Sequence, residues 1–219
     1  MKLKAVLTDL DGTLINSIPL IMASDKAAIE KFGFKVTHHK LRELSQLHSR
    51  DIAYYLMDST GETFNLFDFV EYRRSVFIRL LRKKGPRRLW FRDSKRFLEE
   101  MSSKLPVVIV TGSRKRFIEE VFDKKTRKLP KFIVTSDDVE HKKPDIEPLA
   151  LALKRLKAKP NEVVFVGDSI QDAIMCRRMG VMFVAKIDGI STENQLRRYS
   201  PVFVAKTFDE VKRFVELIS

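Results

Sequence analysis

The chain has 219 residues, 44% of them apolar and 32% charged, with a formal net charge of +13. The apolar fraction suffices for a packed core and excludes a disordered chain, while the single cysteine excludes an internal disulfide and favours the reducing cytoplasm. No apolar stretch is long enough to span a membrane, and the basic residues are spread in short runs, so we interpret the excess charge as a mostly solvated surface.

The stretch KAVLTDLDGTL near the N-terminus predicts a buried strand, Ala5 to Thr8, that ends in two carboxylates. Asp9 and Asp11 are one residue apart, and Gly12 follows them. In an open α/β sheet, ligands lie beyond the carboxyl ends of the strands. We therefore interpret the two aspartates as a metal ligand or nucleophile beside an acid/base group. The alternative is a simple Asp-Gly turn.

The next segment is helical throughout. Ser17 is predicted to cap a helix with Pro19 in its first turn, and apolar residues at helical spacing run from Leu20 to Phe32. Helical patterns continue from His38 to about Lys84, where Gly85-Pro86 ends them. We see no strand here and expect an all-helical insertion.

The remainder alternates between strands and helices. Strands are predicted at 105–110, 132–134, 162–166, 181–184 and 202–204, and helices at 93–101, 114–122, 144–156, 170–179 and 208–218. This alternation predicts a parallel sheet with right-handed crossovers. Cys176 falls within a predicted helix and is expected to be a small buried residue.

Four stretches place chemistry at the ends of predicted strands. They are DLDGT at 9–13, TGS at 111–113, Lys143-Pro144, and GDS at 167–169 followed by Asp172. Together they offer carboxylates, a hydroxyl, backbone N–H groups and a lysine, which suits an Mg²⁺-assisted reaction at a phosphate. The chain has no GxxxxGK[ST] loop and is therefore not a P-loop protein.

The four motifs in this order resemble the haloacid dehalogenase-like hydrolase superfamily. The helical stretch after DLDGTL resembles the cap of the subfamily that includes phosphoglycolate phosphatase and β-phosphoglucomutase. The resemblance implies an α/β fold, a Rossmann-like three-layer core with a central parallel sheet plus an inserted all-α cap domain. It assigns 1–15 and 87–219 to the core and 16–86 to the cap.

The resemblance also implies roles for the acidic residues. Asp9 is expected to be the nucleophile that becomes an aspartyl-phosphate, and Asp11 to protonate the leaving alcohol and later activate water. Asp168 is expected to hold Mg²⁺ together with the Asp9 side chain and the Asp11 carbonyl. Asp172 is expected to orient a metal-bound water, the alternative being a helix N-terminal acid.

Further residues are expected to bind the phosphoryl group. Thr111 would donate a hydrogen bond to it, with Gly112 and Ser113 beside it, and Lys143 would bridge the nucleophile and the phosphate charge. We prefer Lys143 to its neighbour Lys142 because the family lysine directly precedes the proline. The pair Asp137-Asp138 is interpreted as a turn or a helix cap, not a second metal site.

The predicted cap departs from its relatives. Asn16 replaces an aspartate common after DGTL in phosphoglycolate-phosphatase-like members, and segment 45–50 lacks a glycine often seen there. Because the cap of the family faces the leaving group, we expect this segment to carry specificity contacts. Its candidates are Gln46, His48 and Arg50.

The sequence thus predicts a cytoplasmic Mg²⁺-dependent phosphatase acting on a small phosphorylated metabolite, with neither a membrane nor a nucleic-acid partner. Asp11 separates it from haloacid dehalogenases, which need no acid for an alcohol and lack the second aspartate. A sugar-phosphate mutase of the β-phosphoglucomutase type uses the same core and stays open. A basic nucleic-acid-binding or regulatory protein on an inactive core is the alternative from another class.

Overall fold

The computed structural model describes residues 2–219 and divides into two compact units. One, the sheet unit, comprises the chain up to Asn16 together with Leu89–Ser219, and the other, the helical unit, is Ser17–Arg88. These boundaries lie within two residues of those predicted for core and cap.

The sheet unit contains all six strands of the described chain. They are β1 Ala5–Thr8, β2 Val107–Val110, β3 Phe132–Val134, β4 Val163–Gly167, β5 Met182–Lys186 and β6 Phe203–Ala205. All pairings are parallel, in the order β3-β2-β1-β4-β5-β6. The predicted α/β fold with a central parallel sheet is confirmed. Because the strand order reverses beside β1, the crevice at the carboxyl ends of β1 and β4 is where such a sheet binds ligands.

The helices, numbered along the chain, follow the strand alternation. They are α1 Ile18–Lys31, α2 His38–Leu44, α3 Ser49–Thr60, α4 Leu66–Lys84, α5 Ser94–Ser102, α6 Lys115–Val121, α7 Glu147–Leu156, α8 Ile170–Met179, α9 Glu193–Arg197 and α10 Phe208–Ile218. The first four form the helical unit, and the other six surround the sheet.

The strands are short apolar runs because both faces of the sheet are covered. Ala5, Leu7 and Phe165 point to the face that packs against α7, α8 and α9. Helices α5 and α10 pack on each other through Phe97 and Phe208, whose ring centroids are 4.7 Å apart. The β1 strand is therefore fully buried, which fixes the position of the residues that follow it.

The helical unit has its own apolar core. Helices α1 to α4 bury Ile29, Leu44, Ile52 and Phe69 together, with further phenylalanine rings around them. Residues 17–88 contain these four helices, the first residues of the short 3₁₀ turn that follows them and no strand, which confirms the predicted all-helical insertion. No helix within residues 2–219 is both long and apolar enough to cross a membrane.

Most predicted elements are confirmed, and α8, α10, β1 and β3 have the predicted bounds. Two details differ from the prediction: the helix predicted from Pro144 begins at Glu147, and α9 was not predicted. Ser17 is the N-cap residue of α1, as predicted, but its side chain makes no capping hydrogen bond.

Candidate active site

The polar residues singled out in the sequence gather where β1, β2 and β4 end. Asp9 directly follows β1, Thr111 follows β2, and Asp168 follows β4. Since these three strands are neighbours in register, the side chains after them share one edge of the sheet. The loop between β3 and α7 contributes Lys143 to the same edge.

Lys143 is the centre of the site. Its Nζ donates to Asp9 Oδ1 at 2.6 Å and to Asp172 Oδ1 at 2.7 Å. All three side chains are less than 10% exposed. The ammonium also lies 5.1 Å from the centroid of the Phe165 ring. The loop that carries Lys143 is held by Glu147, whose carboxylate accepts the N–H groups of residues 140 and 141.

Burial and charge shift the protonation of this cluster. Burial raises the pKa of Asp9 well above its ordinary value; the Lys143 ammonium opposes this, and the carboxylates of Asp172, Asp168 and Asp11 add to it. Burial and then the charge of Asp172 raise the pKa of Asp168 to about 7. Burial opposes the charge on Lys143, yet the carboxylates of Asp172 and Asp9 raise the pKa of Lys143 above its ordinary value. The lysine therefore stays charged. The negative charges of Asp9 and Asp168 are not fully balanced by it, since the pKa of each carboxyl stays raised.

Asp168 is completely buried and is fixed by groups that the sequence did not reveal. Thr13 Oγ1 donates to Asp168 Oδ1, and the backbone N–H of Ile190 donates to Oδ2, both at 2.7 Å. A Cβ on Gly189 would overlap the Asp168 side chain, so glycine is required there. Thr13 belongs to the DLDGT motif, which did not itself indicate this contact, and the sequence of the loop after β5 contains no recognisable motif.

Asp172 is the helix N-terminal acid of the predicted alternative, and it also contacts Lys143. Its Oδ2 accepts hydrogen bonds from the Ser169 hydroxyl and N–H, and its own N–H donates to Ser169 Oγ, which makes a capping box at the start of α8. Its Oδ1 faces Lys143. A Cβ on Gly167 would approach Asp172 Oδ2 to 2.7 Å, so the last residue of β4 must also be small.

The Asp11 carboxylate contacts the loop after β2. Ser113 Oγ donates to Asp11 Oδ2 at 2.6 Å, and Thr111 Oγ1 lies 3.5 Å from the same oxygen. Thr111 Oγ1 accepts the Ser113 N–H at 3.0 Å and is buried, whereas Gly112 between them is exposed. The two predicted phosphate-binding hydroxyls therefore also line the carboxylate of the predicted acid.

Asp9, Asp168 and Asp172 form a candidate cation site. Each offers a carboxylate oxygen, these oxygens lie within 4.8 Å of one another, and all three residues are buried. The Lys143 ammonium contacts two of the three carboxylates, so part of their negative charge is buried without a partner. This burial costs free energy, and a bound divalent cation would remove the cost. Oxygen donors of this kind fit Mg²⁺.

The other predicted residues fall outside this cluster. Lys142 is exposed, beside the buried Lys143. Asp137 Oδ2 accepts the Lys115 N–H, and Asp138 Oδ2 accepts both the N–H and the hydroxyl of Thr135. That pair therefore serves a helix start and a turn, as predicted, and Cys176 is buried as predicted.

The three specificity candidates belong to the helical unit. Gln46 follows α2, and its Nε2 donates to the carbonyl of Arg42 at 3.4 Å. His48 is the residue before α3, and Arg50 is exposed in the first turn of that helix. Their contribution to specificity stays a prediction.

Comparison with known proteins shows which family this chain is similar to. The family model described as haloacid dehalogenase-like hydrolase matches residues 6–186. The pyrophosphatase PpaX of Bacillus mycoides (strain KBAB4) is 30% identical over 218 residues, which cover 93% of each chain.

Solved structures agree at the level of the fold. A haloacid dehalogenase-like family protein, SP0104 of Streptococcus pneumoniae, has a TM-score of 0.80 at 21% identity and covers 97% of this chain and 98% of its own. A predicted phosphoglycolate phosphatase from Haemophilus somnus 129pt has a TM-score of 0.77 at 16% identity. The match covers 98% of this chain and 99% of that protein's chain.

Proposed function

Because this chain belongs to the haloacid dehalogenase-like hydrolase family, we propose that it hydrolyses small phosphorylated metabolites with Mg²⁺, through an aspartyl-phosphate on Asp9. The chain is a phosphoric-ester hydrolase of that family.

One observation carries the proposal. The buried Lys143 ammonium bridges Asp9 and Asp172 beside the buried Asp168, at the edge of a parallel sheet where ligands bind. A lysine in a purely structural ion pair would need only one carboxylate as its partner. Burying three carboxylates together has a large desolvation cost. Such an arrangement is typical of a site whose missing positive charge arrives with the substrate and its cation.

The first step uses Asp9 and Asp11 together. An Asp9 carboxylate oxygen attacks phosphorus, the bond from phosphorus to the ester oxygen breaks, and the proton of Asp11 passes to the departing oxygen. Lys143 holds Asp9 through its hydrogen bond to Oδ1 and offers positive charge to the phosphoryl oxygens. Thr111 and the Gly112 N–H are proposed to donate to those oxygens.

The second step returns the enzyme to its starting state. The Asp11 carboxylate takes a proton from a water molecule, whose oxygen attacks phosphorus as the bond to Asp9 breaks. Phosphate leaves, and Asp11 is protonated again for the next ester. A residue that alternates between acid and base in this way must face the leaving group, and the Asp11 carboxylate, which contacts the loop after β2, is not one of the three that form the cation cluster.

Asp9 and Asp168, with the Asp11 carbonyl, are the residues proposed to hold Mg²⁺, and Asp172 contributes a carboxylate at the edge of the cluster. When bound, the cation offsets the repulsion between a carboxylate nucleophile and an anionic phosphate. The raised pKa of Asp168, about 7, is consistent with a site that requires this added charge.

The substrate is proposed at the level of a small phosphorylated molecule. The relative named pyrophosphatase PpaX makes pyrophosphate the first compound to test, and the neighbour described as a predicted phosphoglycolate phosphatase makes phosphoglycolate the second. Gln46, His48 and Arg50 are the positions proposed to separate such substrates.

A phosphate-release screen tests this function. Purified protein with Mg²⁺ is offered pyrophosphate, phosphoglycolate, sugar phosphates and nucleotides, and we expect release from at least one class. Isomerisation of a sugar phosphate without phosphate release would favour the mutase. Inactivity on the whole panel, together with a salt-dependent gel shift, would favour the nucleic-acid-binding alternative.

A further inference from the structure

The carboxylate of Asp11 must point in one direction to serve as acid and base, and its own backbone does not ensure this. The turn after β1 is fixed, since the N–H of Gly12 donates to the carbonyl of Ile15 at 2.8 Å and the N–H of Ile15 donates to that of Leu10 at 3.0 Å. The Asp11 side chain extends from this turn and is half-buried. Fixing its carboxyl group therefore requires a partner from another element.

Ser113 meets that requirement because three hydrogen bonds hold it. Its N–H donates to Thr111 Oγ1 at 3.0 Å, and its carbonyl accepts the Ser136 N–H at 3.0 Å. Its hydroxyl donates to Asp11 Oδ2 at 2.6 Å, at the short end of the range for a hydrogen bond between oxygens. The loop after β2 thus presents two hydroxyls to Asp11, of which that of Ser113, at 2.6 Å, is much closer than that of Thr111, at 3.5 Å.

We propose that Ser113 is a positioning residue that orients the Asp11 carboxyl group for proton transfer. A hydroxyl has a single O–H donor, so a serine that donates to Asp11 cannot donate to a phosphoryl oxygen at the same time. This assignment differs from the phosphate-binding role expected from the sequence. It rests on the proposed function, because it presupposes that Asp11 protonates the leaving group.

The Asp11 proton can be followed through both steps of the proposed reaction. In the first step the Asp11 proton moves to the ester oxygen as its bond to phosphorus breaks, and the carboxylate that results keeps the Ser113 hydrogen bond, which is stronger to a charged oxygen. In the second step the carboxylate takes a proton from water. Ser113 keeps its own proton throughout, so its effect passes entirely through Asp11.

A comparison of two leaving groups tests this. The probes are phenyl phosphate, whose phenolate needs a proton to leave, and p-nitrophenyl phosphate, whose anion leaves with little help. We expect Ser113→Ala to lower kcat/KM about tenfold for phenyl phosphate and less than about threefold for the nitro ester, because one positioned acid contributes 10² to 10⁴ in rate. Ser113→Thr, which keeps a hydroxyl, should recover most of the loss.

A matched control and a double variant complete the design. Ser103, an exposed serine whose hydroxyl donates to the Glu100 carbonyl, provides Ser103→Ala, which should leave both esters unaffected. In an Asp11→Asn background, adding Ser113→Ala should change kcat/KM for phenyl phosphate by less than about twofold, since residues acting through one another are not additive.

The outcomes separate the two proposals. Equal losses on both esters, a full further loss in the Asp11→Asn background, or no recovery in Ser113→Thr would overturn the positioning role while the phosphatase stands. A wild-type protein that releases phosphate from neither ester nor the metabolite panel would overturn the proposed function and this inference together.

Discussion

Replacing Lys143 with methionine is the perturbation whose size follows most directly from the structure. The change keeps an unbranched side chain of similar length and removes the ammonium that contacts Asp9 at 2.6 Å and Asp172 at 2.7 Å. Breaking a buried ion pair by removing one partner costs about 3–5 kcal/mol. Total stabilities are about 5–15 kcal/mol, so the loss should be plain in urea unfolding.

The loss should depend on pH in a defined direction. Lys143 lowers the pKa of Asp9, so its removal raises that pKa further, and the pKa of Asp168 is already about 7. As the pH rises, more negative charge must be held on these carboxyls without the Lys143 ammonium, whereas at lower pH they can bind protons instead. We expect the free-energy loss of Lys143→Met, measured in EDTA, to be largest near pH 8 and clearly smaller near pH 5.

The neighbouring lysine provides the control. Lys142 is exposed, and Lys142→Met should change the free energy of unfolding by no more than about 0.5 kcal/mol, as is usual for surface positions. A loss below about 1 kcal/mol for Lys143→Met at pH 8, against the 3–5 kcal/mol of a broken buried pair, would refute the reasoning. So would a loss that is the same at both pH values.

Three further predictions concern the cation site. EDTA should abolish phosphate release and added Mg²⁺ should restore it; activity that survives exhaustive chelation would contradict the metal assignment. Gly189→Ala should displace Asp168 and raise the Mg²⁺ dissociation constant about tenfold in calorimetry, the scale seen when groups that orient a ligand are changed. In the metal-free protein the folded state keeps a proton on Asp168 that the unfolded chain releases near pH 4, so the free energy of unfolding should fall as pH rises from about 4 to 7, by at most about 4 kcal/mol. Thermal melts in EDTA that show the opposite trend would count against that shift.

The fold was largely predictable because its local signals agree with its packing. Helix α8 begins after Ser169, which forms a capping box with Asp172, and it ends at Gly180, so both ends are marked in the sequence. Helix α9 has five residues, and its Thr192 capping box precedes too short a periodic pattern to be recognised. The strands are continuous apolar runs because both faces are covered.

The site was predictable in its residues but not in its contacts. Motifs after β1, β2 and β4, and the lysine in the loop between β3 and α7, indicated which side chains would meet, because parallel strands bring their ends to one edge. The Ile190 N–H on Asp168 and the Ser113 hydroxyl on Asp11 join segments that are 22 and 102 residues apart. Those contacts depend on strand order and loop conformation, for which the sequence carries no periodic signal.

The most direct test of the account is to trap the phosphoryl group on Asp9. The wild-type protein, mixed with Mg²⁺ and an ester found in the screen, is quenched in acid within the first turnover and digested for mass spectrometry. We predict a phosphorylated peptide containing Asp9, lost on treatment with hydroxylamine, and neither the adduct nor turnover in folded Asp9→Asn protein. Turnover by Asp9→Asn at the wild-type rate, or a phosphoryl group on another residue, would contradict the central claim.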